Sequence, residues 1–209
     1  MKAATLPLTA GMAAQAHAIA ATLPQMRTAQ TLLRAPRLAD FDAYRAIACS
    51  DRGKHIGGPM AEAAAWDDFC RMTATWVLRG HGAWAVSGAD DHTIGFVLIG
   101  LEPGDAEPEL GYLFLSCSEG QGLAHEAASA ARDHAFGTLG LATLVSYIDP
   151  ANTRALALAR RLGGRADGVL DGCAVWRMDA APPSADDADA GCTGGAQGVH
   201  TENQPKRTV

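Results

Sequence analysis

The chain has 209 residues, enough for one domain with terminal extensions, and its 48% hydrophobic content is inflated by alanine while aromatics make up only 6%. A formal net charge of −6 and a pI near 5.6 argue against an electrostatic nucleic-acid binder, and they suit a cationic acceptor. Five cysteines (Cys49, Cys70, Cys117, Cys173 and Cys192) stand far apart, with no C-x-x-C and no histidine at metal spacing. Scattered thiols fit a reducing cytoplasm, and neither a disulfide framework nor a metal site is expected.

No run is long and apolar enough to span a bilayer, so no membrane partner is expected. Residues 1–25, MKAATLPLTAGMAAQAHAIAATLPQ, look superficially like a secretion signal, with Lys2 near the start and an Ala-His-Ala. Polar and glycine residues interrupt the middle, and a leucine-rich block is missing, which argues against export. The expectation is a mobile N-terminal extension, with Met26 a natural beginning for the domain.

Gln30 to Arg34 reads as a first strand, halted by Pro36. Asp40 is placed to cap a short helix from Phe41 to Ile47, in which Ala43, Tyr44 and Ile47 fall at helical spacing. The polar, glycine-rich stretch Ser50 to Pro59 reads as a loop near an acceptor site. An amphipathic helix follows, its inner face marked by Trp66, Phe69, Cys70, Thr73, Trp76 and Val77 at three- and four-residue steps. That aromatic stripe is read as core. Three strands come next, Ala83 to Val86, Thr93 to Ile99 and Leu110 to Leu115, joined through Gly88-Ala89-Asp90-Asp91 and through a loop holding Pro103-Gly104-Asp105. Short connections of this kind make antiparallel neighbours.

A helix over Leu123 to Leu139 and a strand over Thr143 to Ile148 follow, so the strands flanking that helix are expected to be parallel. A further helix, Asn152 to Leu162, ends at Gly163-Gly164. Arg165 to Leu170 and Ala174 to Met178 close the domain around the turn Asp171-Gly172. From Ala180 to Val209 the chain is alanine, aspartate, glycine, proline and threonine without periodicity, and it reads as a disordered tail. The domain is therefore placed at residues 26–179.

The stretch around which these elements are organised is ELGYLFLSCSEGQGLAHEAASAARDHAFGTLG, Glu109 to Gly140. A short apolar strand runs into a small-residue loop, Ser116 to Gly122, and then into an alanine-rich helix. A glycine-rich loop ending on a helix start aims several backbone N–H groups in one direction, with the positive end of the helix dipole behind them. That arrangement holds phosphate without any basic side chain. Glycine spacing alone does not say which pyrophosphate, and a plain glycine-broken turn has the same spacing. A dinucleotide fingerprint would need a third glycine where His125 stands and a repeated βαβ series after it, although Asp149 closes the next strand as an acidic ribose ligand would.

Taken in order, the chain resembles the GNAT (Gcn5-related N-acetyltransferase) superfamily, and within it the branch that includes the ribosomal-protein N-acetyltransferases. The resemblance runs from about Met26 to Asp179. It rests on Leu32-Leu33-Arg34, on Gly80-His81-Gly82-Ala83-Trp84-Ala85-Val86 and on Gly95. It continues through Glu107-Pro108-Glu109-Leu110-Gly111-Tyr112, through Gly120-Gln121-Gly122-Leu123-Ala124-His125-Glu126-Ala127, and through Asp149-Pro150-x-Asn152. It implies an α+β fold with a mixed, mostly antiparallel central sheet flanked by helices, and a parallel strand pair splayed around the cofactor. It implies acetyl-CoA as co-substrate, its pyrophosphate on Glu119, Gly120, Gln121, Gly122, Leu123 and Ala124. The pantetheine arm would lie where Leu110–Leu115 and Thr143–Ile148 splay apart and would meet Asn152, with Leu115 and Cys117 also among the cofactor-binding residues.

Three positions depart from the family pattern. Glu119 stands where Arg or Gln is usual, Ala155 where a serine commonly assists thiolate departure, and Gly164 where an aromatic is usual. Amine acetylation needs a neutral amine, a polarised carbonyl and a proton for the leaving thiolate. Glu109, at the start of the strand lining the cleft, is the candidate base, with a solvated strand-end glutamate as the plain alternative. Tyr112 is the candidate acid, Tyr147 a weaker one, and a buried tyrosine is otherwise core. His125, Ser129 and Asp133 recur every four residues on the long helix, but same-face spacing does not assemble a hydrolase triad, and Cys117 has no base partner evident in the sequence. The expected activity is acetyl transfer to the primary amine of a small molecule or peptide, by direct attack in a ternary complex, with monomer and homodimer both open. A non-catalytic acyl-CoA-binding or regulatory domain on the same fold is the other reading, since Glu119 and Ala155 both depart from the family.

Overall fold

The structure is a computed structural model and describes residues 7–88, 90–101 and 105–181. Ala89 of the first turn, Pro103 and Gly104 of the second, and the tail from residue 182 lie outside the described residues. The strands are β1 (Met26–Arg27), β2 (Leu32–Arg34), β3 (Ala83–Ser87), β4 (Thr93–Gly100), β5 (Glu109–Phe114), β6 (Thr143–Ile148), β7 (Arg165–Leu170) and β8 (Cys173–Asp179). They form one sheet in the order β1-β2-β3-β4-β5-β6-β8-β7. Every neighbouring pair is antiparallel except β5 and β6. The mixed, mostly antiparallel sheet expected from the sequence is the one observed.

Five helices accompany it among the described residues: α1 (Ala10–Ala20), α2 (Phe41–Ala48), α3 (Glu62–Arg79), α4 (Leu123–Gly137) and α5 (Thr153–Arg161). β3 shows why both sheet faces must be covered. Its side chains alternate, with Trp84 and Val86 on one face and Ala83 and Ala85 on the other, and all four are buried. Trp84 and Val86 join Val97, Ile99, Leu110 and Leu144 under α4. Ala127, Ala128, Ala131 and Ala135 on α4 are fully buried, and a stripe of methyl groups lets that helix lie close on the sheet. Ala83, Ala85 and Phe96 face the aromatic cluster of Phe41, Tyr44 and Phe69 from α2 and α3. Phe41 packs edge-on to Trp66 with centroids 5.0 Å apart, and Trp66, Phe69 and Trp76 take the core role expected of the stripe. Cys70 and Val77 are instead exposed, because the inner face of α3 runs through Ala65, Phe69, Met72 and Trp76.

The N-terminal segment forms a helix where the sequence reading had no regular element. Thr9 caps α1 by accepting from the Met12 N–H, yet no residue of the helix is buried. Leu23 packs against the main core, and the Trp84 indole N–H donates to the Pro24 carbonyl at 2.9 Å. A second tie runs through α4, whose Glu126 carboxylate accepts from the Thr28 hydroxyl and from the Gln30 backbone N–H at 2.6 Å.

Asp40 differs from its expected role. It precedes α2, but its side chain makes no capping bond there. Its carboxylate instead receives both Arg34 guanidinium nitrogens at 2.7 and 2.9 Å, the Arg37 N–H at 2.6 Å and the Thr93 hydroxyl at 2.5 Å. Arg34 and Asp40 are both buried, so the bidentate ion pair competes successfully with a cap that water would otherwise replace. The pair joins β2 to the start of α2 and to β4. Removing one charge strands the other, so Asp40→Asn is expected to lower unfolding free energy by about 3 kcal/mol, measured by urea denaturation.

Candidate active site

β5 and β6 are paired only at Glu109 and Val145, after which they part. Beyond that point the backbone groups of β5 find other partners. The Ser146 hydroxyl donates to the Leu110 carbonyl at 2.7 Å, and Arg52 donates Nε and Nη2 to the Phe114 carbonyl at 3.1 and 2.9 Å. Buried backbone carbonyls need such partners, and these side chains keep the gap open without cost to the sheet. The gap opens into a cleft of about 1040 Å³ on the side of the α4 N-terminus. A smaller recess of about 330 Å³ lies toward α2 and α3. His55, Ile56, Tyr112, Leu113, Asn152 and Ala155 line both and form the junction between them.

The larger cleft contains the loop singled out in the sequence. Gly120 and Gly122 have φ of +75° and +78°, where L side chains are rare, and a Cβ on either would project into open space. No side chain caps α4 at Gly122, so its first-turn N–H groups stay available for an anion. Glu119, Gly120, Gln121, Gly122, Ala124 and Asn152 line the cleft. Leu115, Cys117 and Leu123 are not among its lining residues. Leu115 packs toward the α2–α3 core and Leu123 is buried, while Cys117 is exposed with its carbonyl accepting from the Gln121 amide at 2.8 Å.

Glu119, the acid among the loop positions expected to hold pyrophosphate, is paired with two guanidinium groups. Its carboxylate receives Arg52 at 2.6 Å and Arg154 at 2.7 Å, and the Arg52 bond in particular holds it below the usual carboxylate range. Lys54 and Arg161 also line the cleft. The sequence reading described an anion cradle free of basic side chains and missed these four. Arg154 stands two residues past Asn152, a signal of position only, whereas Arg52 and Lys54 lay in a stretch read simply as loop. That stretch is instead a 3-10 helix, Asp51–Ile56, with Ser50 accepting from the Arg52 N–H.

The smaller recess holds Glu109 at its edge, with Met60, Met72 and Leu98 supplying apolar wall. Burial pushes the Glu109 carboxyl up to about 7, against the lowering effect of the Tyr147 backbone N–H. A carboxyl poised near neutrality can exchange a proton with an amine. Tyr112 also lines the recess, but its hydroxyl donates to the Ala155 carbonyl at 3.0 Å and burial raises its pKa further. Asp68 lines the same recess, held by the Tyr44 hydroxyl and by Arg71. Asp149, weighed as a ribose ligand, instead accepts from the Ala151 N–H at 2.8 Å and pairs with His55 Nδ1 at 2.6 Å. Asn152 caps α5 through the Ala155 N–H at 3.2 Å. His125 meets the Arg161 carbonyl at 3.2 Å, and Asp133 is exposed, so the helix face of His125, Ser129 and Asp133 builds no triad.

The Glu109 carboxyl is more easily protonated in the fold than in an unfolded chain, so ionising it costs stability as pH rises through about 7. Glu109→Gln removes that cost. Calorimetry is expected to show a higher melting temperature than wild type near about pH 8.5 and little difference near about pH 5. An equal difference at both would mean that the carboxyl sits in water.

A family profile described as acetyltransferase (GNAT) domain matches residues 30–165. The crystal structure of an acetyltransferase from Agrobacterium tumefaciens str. C58 is 41% identical over 75% of this chain and 95% of its own, with a TM-score of 0.71. Two further structures share the fold at lower identity. Mycobacterium smegmatis RimJ in complex with CoA-disulfide is 22% identical over 72% of this chain and 82% of its own, with a TM-score of 0.58. The ribosomal L7/L12 alpha-N-protein acetyltransferase RimL in complex with coenzyme A is 15% identical over 75% and 98%, with a TM-score of 0.62. With a domain match across most of the folded unit and a 41%-identical acetyltransferase beside it, this chain belongs to the GNAT acetyltransferase family and is an N-acetyltransferase.

Proposed function

We propose that the protein transfers the acetyl group of acetyl-CoA to a primary amine of a small molecule or peptide, by direct attack in a ternary complex in the cytoplasm, and that residues 26–179 form the catalytic unit. The observation that carries this reading is the junction at the parted strands. There an anion-binding cleft meets a recess lined by Glu109, whose carboxyl burial pushes up to about 7.

Acetyl-CoA, when bound, supplies an activated thioester carbonyl. The rest falls to the chain. The α4 N-terminus, Gly120, Gly122 and the arginine pair at Glu119 suit a pyrophosphate, because amide N–H groups and guanidinium both bind such oxygens well. Asn152 and Ala155 border the path from cleft to recess. Glu109 takes the amine proton, directly or through water, and the apolar wall of Met60, Met72 and Leu98 excludes bulk solvent around it. The recess presents Asp68 and Glu109 to a cationic amine, in keeping with the acidic balance of the chain.

Two measurements test this. Calorimetric titration should show acetyl-CoA binding, and Gly122→Val should weaken it by at least about tenfold by placing a branched side chain in the space the phosphates need. Full affinity in that variant would remove the loop from the site. Thiol release with a panel of primary amines should reveal turnover, and Glu109→Gln should lower it about a hundredfold at neutral pH while leaving cofactor affinity unchanged. Turnover in wild type should climb as pH rises through about 7, since the base must be ionised to act. A variant within a few-fold of wild type at every pH would leave Glu109 without a catalytic part.

A further inference from the structure

Acetyl transfer as read above leaves one proton unassigned. The leaving thiolate needs a donor, and the two groups the sequence suggested for that end of the reaction are poorly placed. Position 155 is alanine, without a hydroxyl. The Tyr112 hydroxyl is already engaged as a hydrogen-bond donor to the Ala155 carbonyl at 3.0 Å. Of the six residues that border both the cleft and the recess, only Tyr112 and His55 titrate.

His55 has what a proton donor needs. Its Nδ1 is 2.6 Å from Asp149 Oδ2, and Asp149 is itself fixed by the Ala151 N–H at 2.8 Å on its other oxygen. The ring is mostly covered, with 17% of the side chain exposed. A carboxylate on Nδ1 keeps the proton there, so Nε2 is the nitrogen that exchanges. The ring can pass between imidazolium and its Nδ1–H neutral form without losing Asp149.

Resting on the acetyl-transfer reading, we propose that His55, oriented by Asp149, is the acid that protonates the leaving thiolate at the junction of cleft and recess. As the N–C bond forms, Glu109 accepts the amine proton. As the C–S bond breaks and its electron pair stays on sulfur, His55 gives that sulfur its Nε2 proton. Solvent then returns a proton to His55 and removes one from Glu109. The two proton-handling groups line the same recess, one from β5 and one from the 3-10 helix.

Other charges face this ring. Asp51, Arg52 and Lys54 share its element, and Asp149 comes from the end of β6. Glu109 and Tyr112 on β5, Tyr147 on β6, and Asp68 and Arg71 on α3 line the same recess, with Tyr44 of α2 behind Asp68. Arg154 and Arg161 of α5 and Glu119 line the cleft across from it. Most of these ions are already paired, Asp68 with Arg71 and Glu119 with Arg52 and Arg154. The pair with Asp149 is the one that acts on the ring directly.

The test uses the full chain with acetyl-CoA and an amine that wild type accepts. His55→Gln should lower kcat about a hundredfold with little change in acetyl-CoA affinity. His55→Ala should regain rate on adding imidazole. In the free protein, nitrogen-edited NMR should show a hydrogen-bonded Nδ1–H on His55 that Asp149→Asn shifts, a readout independent of turnover. Both His55 variants staying within about threefold of wild type would overturn the assignment, as would an Nδ1 signal indifferent to Asp149→Asn. A wild type that releases no thiol with any amine overturns the transfer reading and this one together. Loss of the His55 effects alone, in an active enzyme, overturns only this one.

Discussion

The parting of β5 from β6 is the constraint on which the rest of the site depends. Two parallel strands that stayed paired would bury their ladder groups against one another and leave no room for a ligand. Here the ladder holds at Glu109 and Val145 and is then replaced by side chains, Ser146 on the Leu110 carbonyl and Arg52 on the Phe114 carbonyl. The separation is thus built into the native hydrogen-bond pattern. It also places Glu109 at the last paired position, where one end of its residue is sheet and the other is cavity wall.

Arg52 links this backbone repair to the electrostatics of the cleft. The same guanidinium that satisfies Phe114 also reaches Glu119, which Arg154 meets from α5. An unpaired acid beside a helix N-terminus would ordinarily repel an anion. Held between two guanidinium groups it does the reverse, keeping two cations at the mouth of a helix N-terminus that has no cap of its own. The carboxyl of Glu109 follows the opposite rule, because it has no such partner and the apolar recess raises its pKa. Two glutamates ten residues apart therefore differ in their readiness to take a proton through surroundings alone.

Support for the site comes from both faces of the sheet. α4 lies close on it through buried alanines, which fixes where its N-terminus points, and Glu126 in its first turn holds the chain around Thr28 and Gln30. On the other face the Phe41, Tyr44, Phe69 and Phe96 cluster positions α2 and α3, and with them the floor of the recess. Tyr44 belongs to both, since its ring packs in that cluster while its hydroxyl binds Asp68.

Much of this was legible in the residues themselves, because it rests on local chemistry. The apolar runs of β3 and β4 between turn residues, the three- and four-residue steps of α3, the glycines before α4 and the Gly163 stop after α5 each act over a few residues, and the elements formed where those patterns lie. The glycine loop followed by a helix start was likewise legible without reference to distant parts of the chain, with Gly120 and Gly122 at positive φ and no side chain capping α4. What only the tertiary structure decided were contacts between residues far apart in sequence. Asp40, a helix cap by its position, is claimed by Arg34 and Thr93 because both are buried beside it. Glu119 owes its partners to Arg52 and Arg154, 67 and 35 residues away. Likewise His55, in a stretch that read as loop, becomes a junction residue only because the fold brings Asp149, 94 residues on, within 2.6 Å. Periodicity reports which side of an element is dry, but the partner of a charge is set by which elements the fold lays side by side.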